Sequence, residues 1–294
     1  MKRASRIFLA ATAFALLVAA SASAQDGVRQ SLNKPKAPQD VVASPDATQS
    51  CSYTFTSGSG ISYLKFCVTA NGNIVQFESP VNVEQISQPA VDGYEGYGIC
   101  DLSTGNAYYD YAYEDSGNWG TATTVSQSST SVEIARTTSD GLWTLTQTIT
   151  SNSGTSPYAK VAMALKNNSG KTKSAYLLRF AGFVPWDFGS TGSLLENYDG
   201  TNESTFGYIA AATPGHSLYF GLMLQNIGNA SPASALTSNV GFPQDTTGGP
   251  LPCKPTAQEN SGTVVNNEGS GVYWYGLSLK ASQTVTVTDR YLSF

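Results

Sequence analysis

The sequence predicts an all-β protein, and three observations carry that expectation. Its periodic segments alternate apolar and polar residues and are filled with Val, Ile, Thr, Tyr, Phe and Trp, which suit a pleated, half-buried surface. Short stretches rich in Gly and Asn separate those segments at hairpin-like intervals. Outside the first 24 residues no stretch offers a long amphipathic helix with capping residues, which removes folds built on crossover helices. Many strands with short connections point to one large antiparallel β-sandwich, immunoglobulin-like or of supersandwich size.

Taken in order, residues 1–24 read as a secretory signal peptide. Lys2, Arg3 and Arg6 precede an apolar run from Ile7 to Ala20, and Ala22-Ser23-Ala24 supplies the small residues of a cleavage site. The run is shorter than the ~20 residues that cross a bilayer, so the expected mature chain is soluble and secreted, periplasmic or extracellular, with no membrane partner. Residues 25–50 hold Pro35, Pro38 and Pro45, six charges and few bulky apolar groups, the composition of a disordered linker. Residues 51–294 are expected to form a single sandwich domain.

Within that domain the clearest alternating runs are Ser62 to Ala70, Asn73 to Ser79, Ser131 to Thr137, Leu142 to Thr150, Ala159 to Lys166, Ala175 to Phe183, Ser217 to Leu224, Val272 to Lys280 and Thr284 to Leu292. Asn71-Gly72 joins two of them as a two-residue type I′ hairpin, the turn that needs φ > 0 at both positions. Residues 51–80 therefore read as a three-stranded meander. Trp143 and Trp274 read as core. The glycines of Ser57-Gly58-Ser59-Gly60 and of Gly93 to Gly98 read as turns, since neither stretch opens a helix or carries the Lys-Ser/Thr of a phosphate loop.

Four cysteines, at 51, 67, 100 and 253, in an exported chain imply two disulfides. A Gly/Ser-rich turn at 57–61 sets Cys51 opposite Cys67, which leaves Cys100 to pair with Cys253. That second bridge ties early strands to a late loop. A zinc site is not expected, because no C-x-x-C occurs and His216 is the only histidine.

Composition excludes further classes. The formal charge of −5 becomes −8 once the three basic residues of the leader are removed, and charged residues make up only 13% of the chain. An acidic, weakly charged surface without a basic cluster excludes nucleic acid as a partner. A Ser-His-Asp arrangement would have to use His216, which sits in a Gly/Pro turn, and no G-x-S-x-G occurs in a strand-to-helix setting.

Two clusters remain as candidate sites. Tyr94, Tyr97, Tyr109, Tyr111, Tyr113 and Trp119 crowd one short region; on a strand Tyr109, Tyr111 and Tyr113 share one face, with Tyr108, Asp110 and Glu114 on the other. Aromatic rings stack on the C–H faces of sugars while amides and carboxylates bind their hydroxyls, so this cluster is a candidate glycan platform. Tyr is also a favoured strand residue, and packing alone accounts for it equally well. The second cluster, Asp187, Glu196, Asp199, Asn202 and Glu203, falls in what reads as the longest loop. It offers oxygen ligands for calcium without the EF-hand spacing, or an acid and base for glycoside cleavage.

The expected function is that of a secreted, non-catalytic sandwich that binds or adheres to polysaccharide, other carbohydrate or another cell-surface component. A carboxylate-dependent glycoside hydrolase or lyase and a purely structural envelope protein are the alternatives. No cofactor other than calcium is implied.

Overall fold

Alternating sequence becomes paired strand along most of the chain. The computed structural model describes residues 50–81, 84–86, 95–112, 115–183, 194–199, 206–212, 219–230, 232–238, 250–255, 258–259, 262–263 and 269–293. All of these belong to one compact unit, Val41–Phe294. The expected signal peptide and nearly all of the expected linker, residues 1–49, lie outside the described residues.

Strands are numbered along the chain. β1 (Tyr53–Ser57), β2 (Leu64–Val68) and β3 (Ile74–Glu78) form the antiparallel meander expected for residues 51–80. A six-stranded sheet contains β4 (Glu95–Asp101), β5 (Asn106–Asp110), β10 (Lys173–Phe183), β14 (Ser234–Ser238), β15 (Gln258–Glu259) and β17 (Gly269–Leu279), in the order β15-β14-β17-β10-β4-β5. A nine-stranded sheet contains β6 (Thr123–Gln127), β7 (Ser131–Thr137), β8 (Trp143–Asn152), β9 (Tyr158–Asn167), β11 (Leu194–Asp199), β12 (Phe206–Ala212), β13 (Tyr219–Asn226), β16 (Gly262–Thr263) and β18 (Thr284–Ser293), in the order β16-β11-β12-β13-β18-β9-β8-β7-β6. Every pairing is antiparallel except the short β14–β15 contact.

The inner face of the larger sheet carries the core. Trp143, Leu145 and Ile149 of β8, Val161, Met163 and Leu165 of β9, and Val132 and Ile134 of β7 point inward at every second position. They meet Ile99, Leu177 and Tyr275 of the six-stranded sheet and Phe55, Leu64, Phe66 and Phe77 of the meander in one cluster. Each such side chain contributes about 1.5–3 kcal/mol by leaving water. Phe77 links the meander to the main sheet, its ring 6.3 Å from Phe66 on one side and 6.3 Å from Tyr291 on the other. The fold is thus a large antiparallel β-sandwich.

β10 and β17 are apolar on both faces, which is why their sequences run together as hydrophobic stretches. Leu177 and Tyr275 enter the core, while Leu178, Phe180, Val272 and Trp274 form a second cluster with Tyr111. The disulfide between Cys100 and Cys253 holds residues 250–253 against that second cluster: Tyr111 donates to the carbonyl of Pro250 and Trp274 Nε1 to that of Leu251. Cys51 pairs with Cys67, so both bridges are those expected from position.

Three local expectations are corrected. Asn71-Gly72 is not a two-residue type I′ turn. Gly72 alone has φ +95°, Thr69 and Asn73 bracket a three-residue loop, and the amide of Gly72 donates to Thr69 O at 3.1 Å. Asn71 is not among the positive-φ residues, and its side chain and carbonyl bond to Asp110 and Tyr97. Gly96 and Gly98 lie inside β4, not in a turn. A Cβ on Gly96 would stand 1.9 Å from the carbonyl oxygen of Asp110, and one on Gly98 2.8 Å from Cγ of Pro252, so the sheet needs hydrogen at both places. Glu196 and Asp199 are not in a loop: they lie on β11, where Glu196 pairs with Ala210 and Asp199 with Gly207.

Candidate functional site

The aromatic segment divides at β5. Tyr108 faces the main core, its OH 2.5 Å from Asp140, while Tyr109 and Tyr111 pack on the opposite cluster, as strand alternation requires. The rings of Tyr109 and Tyr111 are stacked, 4.9 Å apart with 19° between planes, and Tyr111 meets Phe180 edge-on. Tyr109 is half-buried on the edge strand of its sheet, and Tyr176 of β10 is half-buried on the same cluster. Tyr111 itself is 1% exposed. The other rings expected in the platform go elsewhere: Tyr97 and Trp119 are buried on the core side, 5.6 Å apart at 77°. Tyr94 and Tyr113 lie outside the described residues.

β5 ends at Asp110, where Ala112 adopts a left-handed conformation, φ +66°, and its amide donates to Asp110 Oδ1 at 3.0 Å. The chain then folds back so that Asp115 bridges Asp110. Both carboxylates meet Arg136, which projects inward from β7. Its Nη1 lies 2.6 Å from Asp110 Oδ2, its Nη2 3.2 Å from Asp115 Oδ2, and its Nε donates to Gly120 O. The guanidinium also sits 5.2 Å from the ring centre of Trp119. Asn71 Nδ2 donates to Asp110 at 2.9 Å, and Asn71 O accepts from Tyr97 OH at 2.8 Å.

A second arginine continues the network. Arg179 of β10 donates from Nη1 to Gln147 at 2.8 Å, from Nε to Tyr291 OH at 2.8 Å, and from Nη2 to Glu95. Glu95 also accepts from Tyr291 OH and from the amide of Ile74, each at 2.5 Å. The network therefore runs through the seam where the meander, the six-stranded sheet and the nine-stranded sheet meet. Burial pushes Glu95 up to about 7 against the pull of Arg179, and Asp110 up to about 6 against the pull of Arg136.

This arrangement is a buried polar core. Glu95, Asp110, Arg136 and Arg179 are no more than 2% exposed, so their charge organises packing and does not face a substrate. Sequence reasoning passed over Arg136, Gln147, Arg179 and Asp289 as functional positions. The signal was present: Val132-x-Ile134-x-Arg136, Leu145-x-Gln147-x-Ile149 and Val287-x-Asp289-x-Tyr291 each place a polar residue at an inward phase.

Of the calcium or acid/base cluster, the structure gives the backbone of Glu196 and Asp199 on β11; Asp187, Asn202 and Glu203 lie outside the described residues, as does His216. Among the described residues no group of three or more His, Cys, Asp or Glu stands together to hold a metal ion.

Fold and site together define a large, disulfide-bonded antiparallel β-sandwich with a buried ionic seam. No protein-family model matches the chain, and no curated protein matches it. Matching solved structures include a galactose mutarotase-like protein from Lactobacillus casei ATCC 334, with 9% sequence identity over 82% of this chain and 100% of that chain, and a TM-score of 0.46.

Proposed function

We propose that the protein is an exported, non-catalytic β-sandwich that binds or adheres to carbohydrate or another cell-surface component through the aromatic edge of its six-stranded sheet. The observation that carries this reading is the Tyr109–Tyr111 stack. Tyr109 is half-exposed on an edge strand and backed by a buried ring, which Phe180 and the carbonyl of Pro250 hold in place. A ring held in this way has its orientation fixed before any ligand arrives, at little ordering cost. Tyr176 of β10, partly buried on the same cluster, lies on the same face of the sheet with β4 between it and β5. The non-catalytic reading is supported by Asp110, Asp115 and Glu95, which stand near β5 but are committed to arginines inside the core. Export is supported by the leader-like residues 1–24 and by both pairs of cysteines being oxidised.

The test is retention of the mature chain on a panel of insoluble polysaccharides and cell walls. Retention by the wild type that is lost in Tyr109→Ala and weakened in Tyr176→Ala is expected. Both rings are partly buried against the same cluster, so the urea midpoint of each variant is read beside its retention to separate loss of the surface from loss of the fold. Retention on none of the panel, or retention that neither change alters, overturns the reading in favour of a structural envelope protein.

A further inference from the structure

Among the described residues, Asp289 is the one acid of the ionic seam that forms no ion pair. It lies on β18 with no solvent exposure. Its Oδ1 accepts from Tyr275 OH of β17 at 2.5 Å, and its Oδ2 is buried without a hydrogen-bond partner. The register neighbours are Val161 on β9 and Asn226 on β13, neither of which titrates. On β18 itself Tyr291 shares the inward face, and its OH is given to Glu95 of β4. The charge that reaches Asp289 is that of Arg179 on β10, whose hydrogen bonds go to Gln147, Tyr291 and Glu95. The other seam acids are matched: Asp110 and Asp115 to Arg136, and Glu95 to Arg179.

An ionised carboxyl sealed in a core without a bonded cation costs far more than a neutral acid there, and the group escapes that cost by keeping its proton. We propose that Asp289 is held as the neutral carboxylic acid in the folded protein, so that the sandwich tightens as the surrounding medium acidifies. Burial pushes its carboxyl up to about 7, against the Tyr275 hydroxyl and the charge of Arg179. In the unfolded chain the same group ionises near its ordinary value of about 3.9. Between those two values the folded chain holds a proton that the unfolded chain has released. The contribution of Asp289 to folding therefore weakens about tenfold in the folding constant per pH unit as pH rises through that interval, then levels off.

The experiment compares denaturant unfolding of the mature chain with that of Asp289→Asn between pH 4 and pH 8.5. Asn is neutral at every pH and can still accept from Tyr275. The ratio of the variant's folding constant to the wild type's is expected to rise with pH, about tenfold per unit at the steepest, and to flatten above about pH 7. A ratio that stays flat, or that falls as pH rises because the variant has lost an anion paired with Arg179, overturns the proposal. If the variant does not fold, carboxyl-carbon NMR of aspartate-labelled wild type gives the answer. The resonance assigned to Asp289 through the Tyr275 ring stays at its protonated position at pH 6 if the proposal holds, and at its ionised position if it does not.

Discussion

Arg136 of β7 and Asp110 at the end of β5 form an ion pair with 2.6 Å between Nη1 and Oδ2, their side chains 1% and 0% exposed. The pair bolts the nine-stranded sheet to the six-stranded one. Arg136→Ala removes the guanidinium bonded to buried Asp110 and is expected to cost about 3–5 kcal/mol. The surface pair Lys65–Glu78, at 3.6 Å and with the Lys65 side chain 32% exposed, sets the opposite limit. Lys65→Ala is expected to cost no more than about 1 kcal/mol. Urea unfolding of both variants beside the wild type checks the contrast.

Glycine substitutions should separate in the same way. Gly96→Ala drives a methyl into the carbonyl oxygen of Asp110 and separates β4 from β5, for an expected loss of about 3 kcal/mol or more. Gly170, with nothing within 4 Å of its would-be Cβ, sits in a turn where Ala limits only the unfolded chain. Gly170→Ala is expected to gain about 0.4–1 kcal/mol. Thermal midpoints check both, and a Gly96→Ala midpoint level with that of the wild type would refute the steric argument at Gly96.

The two disulfides close loops of very different length, with sequence separations of 16 and 153. On chain-entropy grounds Cys51→Ser with Cys67→Ser should cost about 3 kcal/mol, and Cys100→Ser with Cys253→Ser about 5 kcal/mol. The second pair also frees the segment whose Pro250 carbonyl holds Tyr111. Denaturant midpoints of the two double variants should fall in that order.

Acidity should stabilise the whole domain over a defined interval. Glu84 accepts from the amides of Phe77 at 2.6 Å and Ile86 at 3.3 Å, and burial pushes it up to about 7. Glu95 and Asp110 are raised in the same sense. Groups raised by folding bind protons that the unfolded chain has released, so stability falls as pH climbs from about 4.5 to about 7. Asp101 and Asp140 are shifted down against the cost of desolvation, by bonds from Lys173 and Ser103 and from Thr138 and Tyr108, and they oppose this trend only below their ordinary range. Calorimetric midpoints at pH 5 and pH 7.5 should therefore rank the acidic sample higher, and Glu84→Gln should narrow the gap.

Alternation of apolar and polar residues was enough to place most of the long strands. β7, β8, β9 and β18 follow runs visible in the chain, because a strand with one buried face must write that face into every second residue; β10 and β17, buried on both faces, are legible from their strand-forming residues instead. The turn between residues 57 and 61 gave the Cys51–Cys67 pairing, and elimination gave the other. β6 was invisible because all five of its residues are exposed, which leaves no pattern to read. β4 was taken for a turn because Gly96 and Gly98 have no side chains to alternate.

What the sequence determined by itself is a local matter: which segments extend, which face of each is apolar, and which cysteines lie opposite. Only the tertiary structure decided that Tyr97 and Trp119 turn inward around Arg136 while Tyr109 stays at an edge. It alone decided, too, that Glu95, Asp110 and Asp115 find arginines where Asp289 finds none. The reason is physical. Strand period is set by neighbours along the chain, whereas the partner of a buried charge comes from another sheet, through Coulomb and desolvation terms that depend on distances no linear spacing encodes.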